Sequence, residues 1–164
     1  MARRVFYSFH YDADHARASQ VRNIGMIDGN RPATDNEWEQ VKRGGTSAVQ
    51  RWIDNQLNGR SCTIVLIGQN TAGRPWINYE IEKSWTDGKG LFGIYIHNLK
   101  NLAGFQSLRG SNPFDGFTMR GSATRLAQYV AAYDPPYSDS RLVYAYIAAN
   151  LTTWIDVAVR SRGN

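Results

Sequence analysis

The chain has 164 residues, of which 42% are hydrophobic, and a formal net charge of +5 from 19 basic and 14 acidic residues. This length predicts a single domain, 1–164, with room for a sizeable core. No stretch reads as an 18-residue apolar span and the basic residues are scattered, which argues against a membrane protein and against a nucleic-acid-binding protein. The modest positive charge still suits an anionic small molecule such as a dinucleotide.

Two further features favour a cytoplasmic protein. The N-terminal residues enter a strand pattern at once, without a long apolar signal region. Cys62 is the single cysteine, so no internal disulfide can form. Its place at the start of an apolar run predicts a buried core thiol.

The first predicted strand covers residues 4–9 and is rich in aromatic and β-branched residues. It ends in His10 and Tyr11, at a position where α/β proteins commonly bind ligands. Either Asp12 or Asp14 is expected to cap the helix that follows.

Residues 24–27 predict a short second strand, and residues 28–36 predict a loop rich in turn-forming residues. Two helices are expected next. The first passes through Trp38 and breaks at a Gly-Gly pair, and the second carries Trp52 and other apolar residues on one face.

The most apolar run, 63–68, predicts a buried central strand, and residues 75–85 predict the helix after it. Pro75 suits the first helical position because its missing N–H would be unpaired there. Glu80 then lies at the edge of the buried face, just past the carboxyl end of the central strand, whereas Glu82 faces outward. Two interpretations of Glu80 stay open at this point: a site carboxylate, or a charge that stabilises the helix N-terminus.

The remaining chain predicts two strands, a long loop and a final helix. These elements are a strand at 91–96, a loop at 99–124, a strand centred on Val130 within 126–133, and a helix capped by Ser138 or Asp139 that runs to about residue 162. The short alternation of strands and helices predicts an α/β fold with a mainly parallel sheet.

Several common catalytic and binding motifs are absent from the sequence. The three histidines and one cysteine lack zinc-ligand spacing, so no metal site is predicted. There is no G-x-G-x-x-G after the first strand, no P-loop and no G-x-S-x-G elbow. What remains is a carboxylate, aromatic residues and polar strand ends around one crevice, a set that suits cleavage of a nucleotide's glycosidic bond or simple binding.

The segment 76–80 has the W-x-x-x-E pattern that TIR domains carry on the helix after their central strand. The chain more closely resembles the TIR-like family of the bacterial Thoeris antiphage system, over most of residues 1–118. The matching segments are 4–11, 21–23, 65–68, 76–84, 93–96 and 112–115.

The resemblance implies a flavodoxin-like three-layer sandwich with a mainly parallel five-stranded sheet in the order 2-1-3-4-5. It also implies an enzyme that cleaves NAD between nicotinamide and ribose and makes a cyclic ADP-ribose isomer. NAD is the substrate in this interpretation, and no cofactor is expected. The product would act as a second messenger for a partner effector, and the resemblance leaves self-association and a phage trigger open.

The catalytic glutamate of the family falls on Glu80. In the 2-1-3-4-5 order the first and third strands are neighbours, so residues 8–11 and the Glu80 helix would flank one crevice. For Trp76, packing beneath Glu80 is preferred over contact with the substrate. For Asn112, a structural role in a turn is at least as good an interpretation as contact with the ligand. The expected substrate-binding residues are Ser8, Phe9, His10, Tyr11, Trp76 and Asn112.

Two other functions remain as alternatives. The first is a non-catalytic TIR-like adaptor that works by assembly. The second is an N-glycosidase or transferase acting on another nucleoside or nucleotide, since the same carboxylate could serve it.

Overall fold

In the computed structural model, which describes residues 3–24, 27–29 and 35–163, five parallel strands form one sheet in the order β2-β1-β3-β4-β5. The predicted α/β fold class and strand order are therefore confirmed. The strands are β1 (Arg4–Ser8), β2 (Asp28–Gly29), β3 (Cys62–Ile67), β4 (Gly90–Tyr95) and β5 (Ala132–Tyr133). The α-helices are α1 (Tyr11–Arg22), α2 (Asp35–Arg43), α3 (Thr46–Leu57), α4 (Pro75–Thr86) and α5 (Ser140–Ser161). Two 3₁₀-helices cover Pro113–Gly116 and Leu126–Gln128.

Alternating side chains of the central strand divide the core between the two faces of the sheet, because successive strand residues point to opposite sides. Ile64 and Leu66 pack in a cluster with residues of α1 and α5. Val65 and Ile67 pack in a second cluster with residues of α4. Cys62 is fully buried, as predicted, and burial raises the pKa of its thiol to about 12.

Helix α5 departs from one sequence expectation. By length and hydropathy, Ser140–Ser161 is apolar enough to cross a membrane, although the sequence pattern suggested no such span. In the fold, the helix buries an apolar stripe that includes Val143, Ile147 and Leu151 against the sheet, as a core helix does. Asp139 caps it, because its side chain accepts a hydrogen bond from the Arg141 backbone N–H. A cytoplasmic location remains a prediction.

Strand β2 is Asp28–Gly29, inside the predicted loop 28–36, and the described residues of the predicted strand 24–27, Ile24 and Ile27, are not in a strand. Residues 25, 26 and 30–34 of these two predictions lie outside the described residues. Strand β2 pairs with Arg4 and Val5 of β1. A Cβ on Gly29 would lie 2.5 Å from the Tyr7 ring, so this strand position requires glycine. Ile24 and Ile27 flank the strand and pack against the core instead.

The fifth strand was also predicted a few residues too early. Leu126 and Val130 are buried, but they belong to a 3₁₀ turn and its exit rather than to a strand, and Tyr129 is exposed. The strand is Ala132–Tyr133, next to β4. An apolar residue every four positions allows either a turn or a strand, and packing onto β4 decided between them.

The predicted cap of α1 is wrong as well. His10 occupies the N-cap position without a side-chain hydrogen bond, and Asp12 and Asp14 lie inside the first turn. Asp14 is buried in an ion pair with Arg17, at 3.0 Å between Oδ1 and Nη1. Arg17 also donates to the backbone carbonyls of Leu99 and Phe105. Asp14 is therefore used in tertiary packing, which outweighs local capping here.

Candidate active site

A cavity of about 350 Å³ opens where the carboxyl ends of β1 and β3 lie side by side. This is the topological switch point of the sheet, since β2 continues on one side and β4 on the other. Helix α1 leaves the end of β1 and helix α4 follows β3, so both helices begin at the same edge. The fold therefore places the predicted crevice where α/β proteins bind ligands.

The residues that line this cavity form three levels of decreasing burial. The buried floor consists of Phe6, Tyr7, Ile53, Ile77 and Glu80. The half-buried walls consist of Phe9, His10, Tyr11, Trp38, Trp52 and Trp76. The exposed rim consists of Asp12, Lys42, Arg74 and Pro75. A single carboxyl thus lies at the apolar floor, aromatic rings surround it, and charged side chains stand at the mouth.

Glu80 is 8% exposed, and burial raises the pKa of its carboxyl to about 8. Among the described residues, no basic side chain offsets this burial. The nearby Ser8 hydroxyl lowers the pKa in part. That interaction falls short of hydrogen-bond geometry, because Ser8 Oγ has no hydrogen-bond partner within the described ranges. The site therefore holds a buried carboxyl and a buried hydroxyl side by side, and the hydroxyl has no hydrogen-bond partner among the described residues.

The position of Glu80 along α4 also bears on its role. Pro75 occupies the first helical position, as predicted, so Glu80 is in the second turn. A charge–dipole interaction falls off within the first turn, so the helix-stabilising interpretation loses its support. Glu82 is exposed, as predicted, and faces away from the cavity.

Phe9, His10 and Tyr11 all line the cavity from the exit of β1. The Tyr11 ring stacks on His15 at 5.2 Å between centroids, and the Phe9 ring lies 6.4 Å from that of Tyr11. Burial and the charge of Arg74 both lower the pKa of His10. Both effects favour the neutral imidazole, and the carboxylates of Asp12 and Asp14 oppose them.

Trp76 lines the cavity and also packs within the fold. Its ring meets the Tyr79 ring edge-on at 6.0 Å, and the Tyr79 hydroxyl donates to Asp54 Oδ1 at 2.7 Å. The indole is thus fixed from behind while its other side borders the cavity.

Asn112 lies outside the cavity lining. Its Oδ1 accepts a hydrogen bond of 2.9 Å from the Phe114 backbone N–H and caps the 3₁₀-helix Pro113–Gly116. Phe114 is fully buried beside β3 and β4. The geometry favours the structural alternative for Asn112 over contact with a ligand.

Sequence reasoning missed the part of the wall that α2 and α3 contribute. Trp38 and Trp52 both line the cavity, with ring centroids 5.7 Å apart. Lys42 Nζ lies 5.8 Å from the centroid of the Trp38 ring. The sequence placed Trp38 in a helix and Trp52 on the apolar face of the next one, and helical spacing is the same whether such a face meets a core or a cavity.

The residues described by the structure include no group of three or more His, Cys, Asp or Glu side chains that could hold a metal ion. The cavity itself offers two carboxyl groups, those of Glu80 and Asp12, at opposite levels. The aromatic walls suit an organic ligand with flat rings, and Lys42 and Arg74 at the rim suit anionic groups on it.

Comparison with known proteins agrees with this geometry. The family described as "Thoeris protein ThsB, TIR-like domain" matches residues 6–101. A Bacillus cereus (strain MSX-D12) protein named "Putative cyclic ADP-D-ribose synthase ThsB1" is 41% identical over 120 residues. That match covers 70% of this chain and 62% of the relative, so the chain aligns with less than two thirds of that protein. The chain therefore belongs to the TIR-like ThsB family of the Thoeris system.

Proposed function

We propose that this chain is a TIR-like enzyme that consumes NAD, cleaves the bond between nicotinamide and ribose, and makes a cyclic ADP-ribose isomer. The observation that carries the proposal is the buried Glu80 carboxyl at the floor of an aromatic cavity at the switch point of the sheet. The name of the Bacillus cereus relative supports the same chemistry.

Binding would use the charge of the substrate. Burial without a basic partner disfavours the ionised form of Glu80. The nicotinamide ring of NAD is a cation, and at the cavity floor it would supply the missing positive charge. Substrate binding would therefore convert Glu80 to the carboxylate that the reaction needs, and the aromatic walls would hold the flat ring.

In the first step, the bond between the nicotinamide nitrogen and ribose C1′ breaks. Nicotinamide leaves with the bonding electron pair and becomes neutral, while positive charge develops on C1′ and the ring oxygen. The Glu80 carboxylate stabilises this oxocarbenium-like charge, and the nearby Ser8 hydroxyl favours the ionised form of Glu80. The burial of Glu80 strengthens that interaction because the local dielectric constant is low.

In the second step, a nucleophile from the adenosine half of the same molecule attacks C1′ and releases its proton. The products are nicotinamide, a proton and a cyclic nucleotide that contains one water less than ADP-ribose. Attack by water at the same carbon would give ADP-ribose instead. We propose that the cyclic product activates an effector protein, and that a phage component triggers the enzyme.

The test is chromatography with mass detection on purified protein incubated with NAD, alone and with lysate from infected cells. Glu80→Gln is expected to lower nicotinamide release by about 10²–10³-fold. Glu82→Gln is the matched control, since Glu82 is on the same helix but exposed, and it should keep full activity.

Each outcome of this experiment points to one function. A cyclic product that is lost in Glu80→Gln supports the proposal, and plain ADP-ribose would mean hydrolysis. No turnover of NAD under either condition would contradict it in favour of an adaptor. Turnover of free nucleosides in preference to NAD would indicate another N-glycosidase or transferase.

A further inference from the structure

We infer that Trp38, Trp52 and Lys42 form the subsite for the adenosine diphosphate half of the dinucleotide, an inference that rests on the proposed function. Helices α2 and α3 supply these residues to the same cavity that holds Glu80. The subsite would decide which substrates bind and where the adenosine ribose lies during the reaction.

The levels of the cavity set the direction in which a dinucleotide enters. The carboxyl is at the buried floor, which suits the cationic nicotinamide end. Lys42 and Arg74 are at the exposed rim, which suits an anionic diphosphate. The adenine follows the diphosphate, so it lies against the aromatic wall next to the rim of the cavity.

Trp38 and Trp52 are half-buried against the core beneath them and line the cavity with the part of each ring that stays exposed. The two rings are tilted by 55° rather than stacked on each other. In the described ranges, neither ring has a further aromatic partner. Elsewhere in the cavity lining, the ring of Tyr11 is stacked on His15 and that of Trp76 is braced by Tyr79. Indole faces stack on any nucleobase, so the α2–α3 wall is the better platform for adenine.

Lys42 places a positive charge beside that platform. Its Nζ lies 5.8 Å from the Trp38 ring centroid and 2.8 Å from Glu39 Oε1. Both side chains of the Lys42–Glu39 pair are exposed, so the ion pair is weak. A phosphate oxygen at the rim can therefore replace the Glu39 carboxylate as the partner of Lys42.

This placement also bears on cyclisation. A base held on the wall of the cavity keeps its ribose inside the cavity, on the side from which C1′ of the other ribose can be attacked. A base in solvent would leave the adenosine ribose far from C1′. The tryptophan wall thus acts as a positioning surface for the second step.

The experiment is calorimetry on the full chain with two probes that need no turnover. ADP-ribose carries the adenosine diphosphate half, and nicotinamide mononucleotide lacks the adenosine. Trp38→Leu and Trp52→Leu are each expected to weaken ADP-ribose binding about tenfold and to change nicotinamide mononucleotide binding less than about twofold. Trp38→Phe should keep most of the affinity, and Lys42→Gln should make ADP-ribose binding weaker and less dependent on salt.

Trp85→Leu is the matched control for the loss of a half-buried tryptophan. Trp85 lies under the Arg162 guanidinium at 3.6 Å and is outside the cavity lining, so ADP-ribose binding should be unchanged. Equal weakening of both probes, no weakening of either, or no binding of ADP-ribose to the unaltered chain would overturn the subsite. Nicotinamide release by the unaltered chain and by Glu80→Gln reports on the proposed function separately. In an active enzyme, the leucine variants should also shift the product from cyclic towards linear ADP-ribose.

Discussion

The hydroxyl of Ser8 at the end of β1 lies beside the buried carboxyl of Glu80 on α4, and it lowers a pKa that burial raises to about 8. The two residues come from neighbouring parallel strands and their following segments, which the 2-1-3-4-5 order brings together. A carboxyl with this pKa is poised to ionise when a cation binds next to it.

The pH dependence of turnover should report this carboxyl. In the proposed reaction the ionised form of Glu80 is the active one. The kcat/KM for NAD should therefore rise with pH and level off above about pH 8, the pKa of the free enzyme. The rise in kcat should occur at a lower pH, because the bound nicotinamide cation favours the carboxylate and so lowers the pKa of Glu80 in the complex. Ser8→Ala should move the kcat/KM limb upward, since it removes the hydroxyl that opposes the shift. Initial rates across pH 5–9 check this, and a kcat/KM limb near the ordinary glutamate value of about 4.5 would contradict it.

Folding stability should depend on pH through the same group. The folded-state pKa of Glu80 is raised, so the folded protein binds more protons than the unfolded chain between about pH 4.5 and pH 8. The contribution of Glu80 to stability is therefore greatest below this window and falls as the pH rises through it, by about 5 kcal/mol at most.

Glu80→Gln removes this titration and keeps the shape of the side chain. The variant should gain stability over the unaltered chain at pH 8 and little or none at pH 4.5. Urea unfolding at both pH values measures the difference. Glu82→Gln, at an exposed position, should show no such pH-dependent gain. An equal effect of Glu80→Gln at both pH values would argue against a raised pKa.

Asn112 should matter for stability and not for substrate binding. Asn112→Ala removes the acceptor for the Phe114 N–H and should lower the free energy of unfolding by about 1 kcal/mol. Asn112→Asp keeps an acceptor oxygen and should cost less. The KM for NAD should be unchanged in both variants. A raised KM with unchanged stability would instead give Asn112 the ligand role that the sequence suggested.

Gly110 should be intolerant of a side chain. A Cβ at this position would lie 2.1 Å from the backbone oxygen of Gly68 at the end of β3, so the backbone would have to move. Gly110→Ala should lower the free energy of unfolding by about 1–3 kcal/mol. Gly116→Ala is the control, because no atom lies within 4 Å of a Cβ there, and it should change stability by less than about 0.5 kcal/mol. Thermal unfolding of both variants tests the contact.

The sequence predicted the elements around Glu80 well because their signals are local. Pro75 at the start of α4 and the apolar run of β3 each identify an element without reference to distant residues. The second and fifth strands were predicted at the wrong residues because each has only two residues, too few to show the alternation of apolar and polar side chains that identifies a strand. Their positions follow from pairing with β1 and β4.

By itself, the sequence determined the alternation of strands and helices, the position of Glu80 past a central strand, and the aromatic character of the β1 exit. The strand order came from resemblance to a family, since neighbours in a parallel sheet are not neighbours in the chain. The tertiary structure alone decided that Trp38, Lys42 and Trp52 share a cavity with Glu80. It also decided the pKa of Glu80, because desolvation depends on atoms that distant segments place around a side chain.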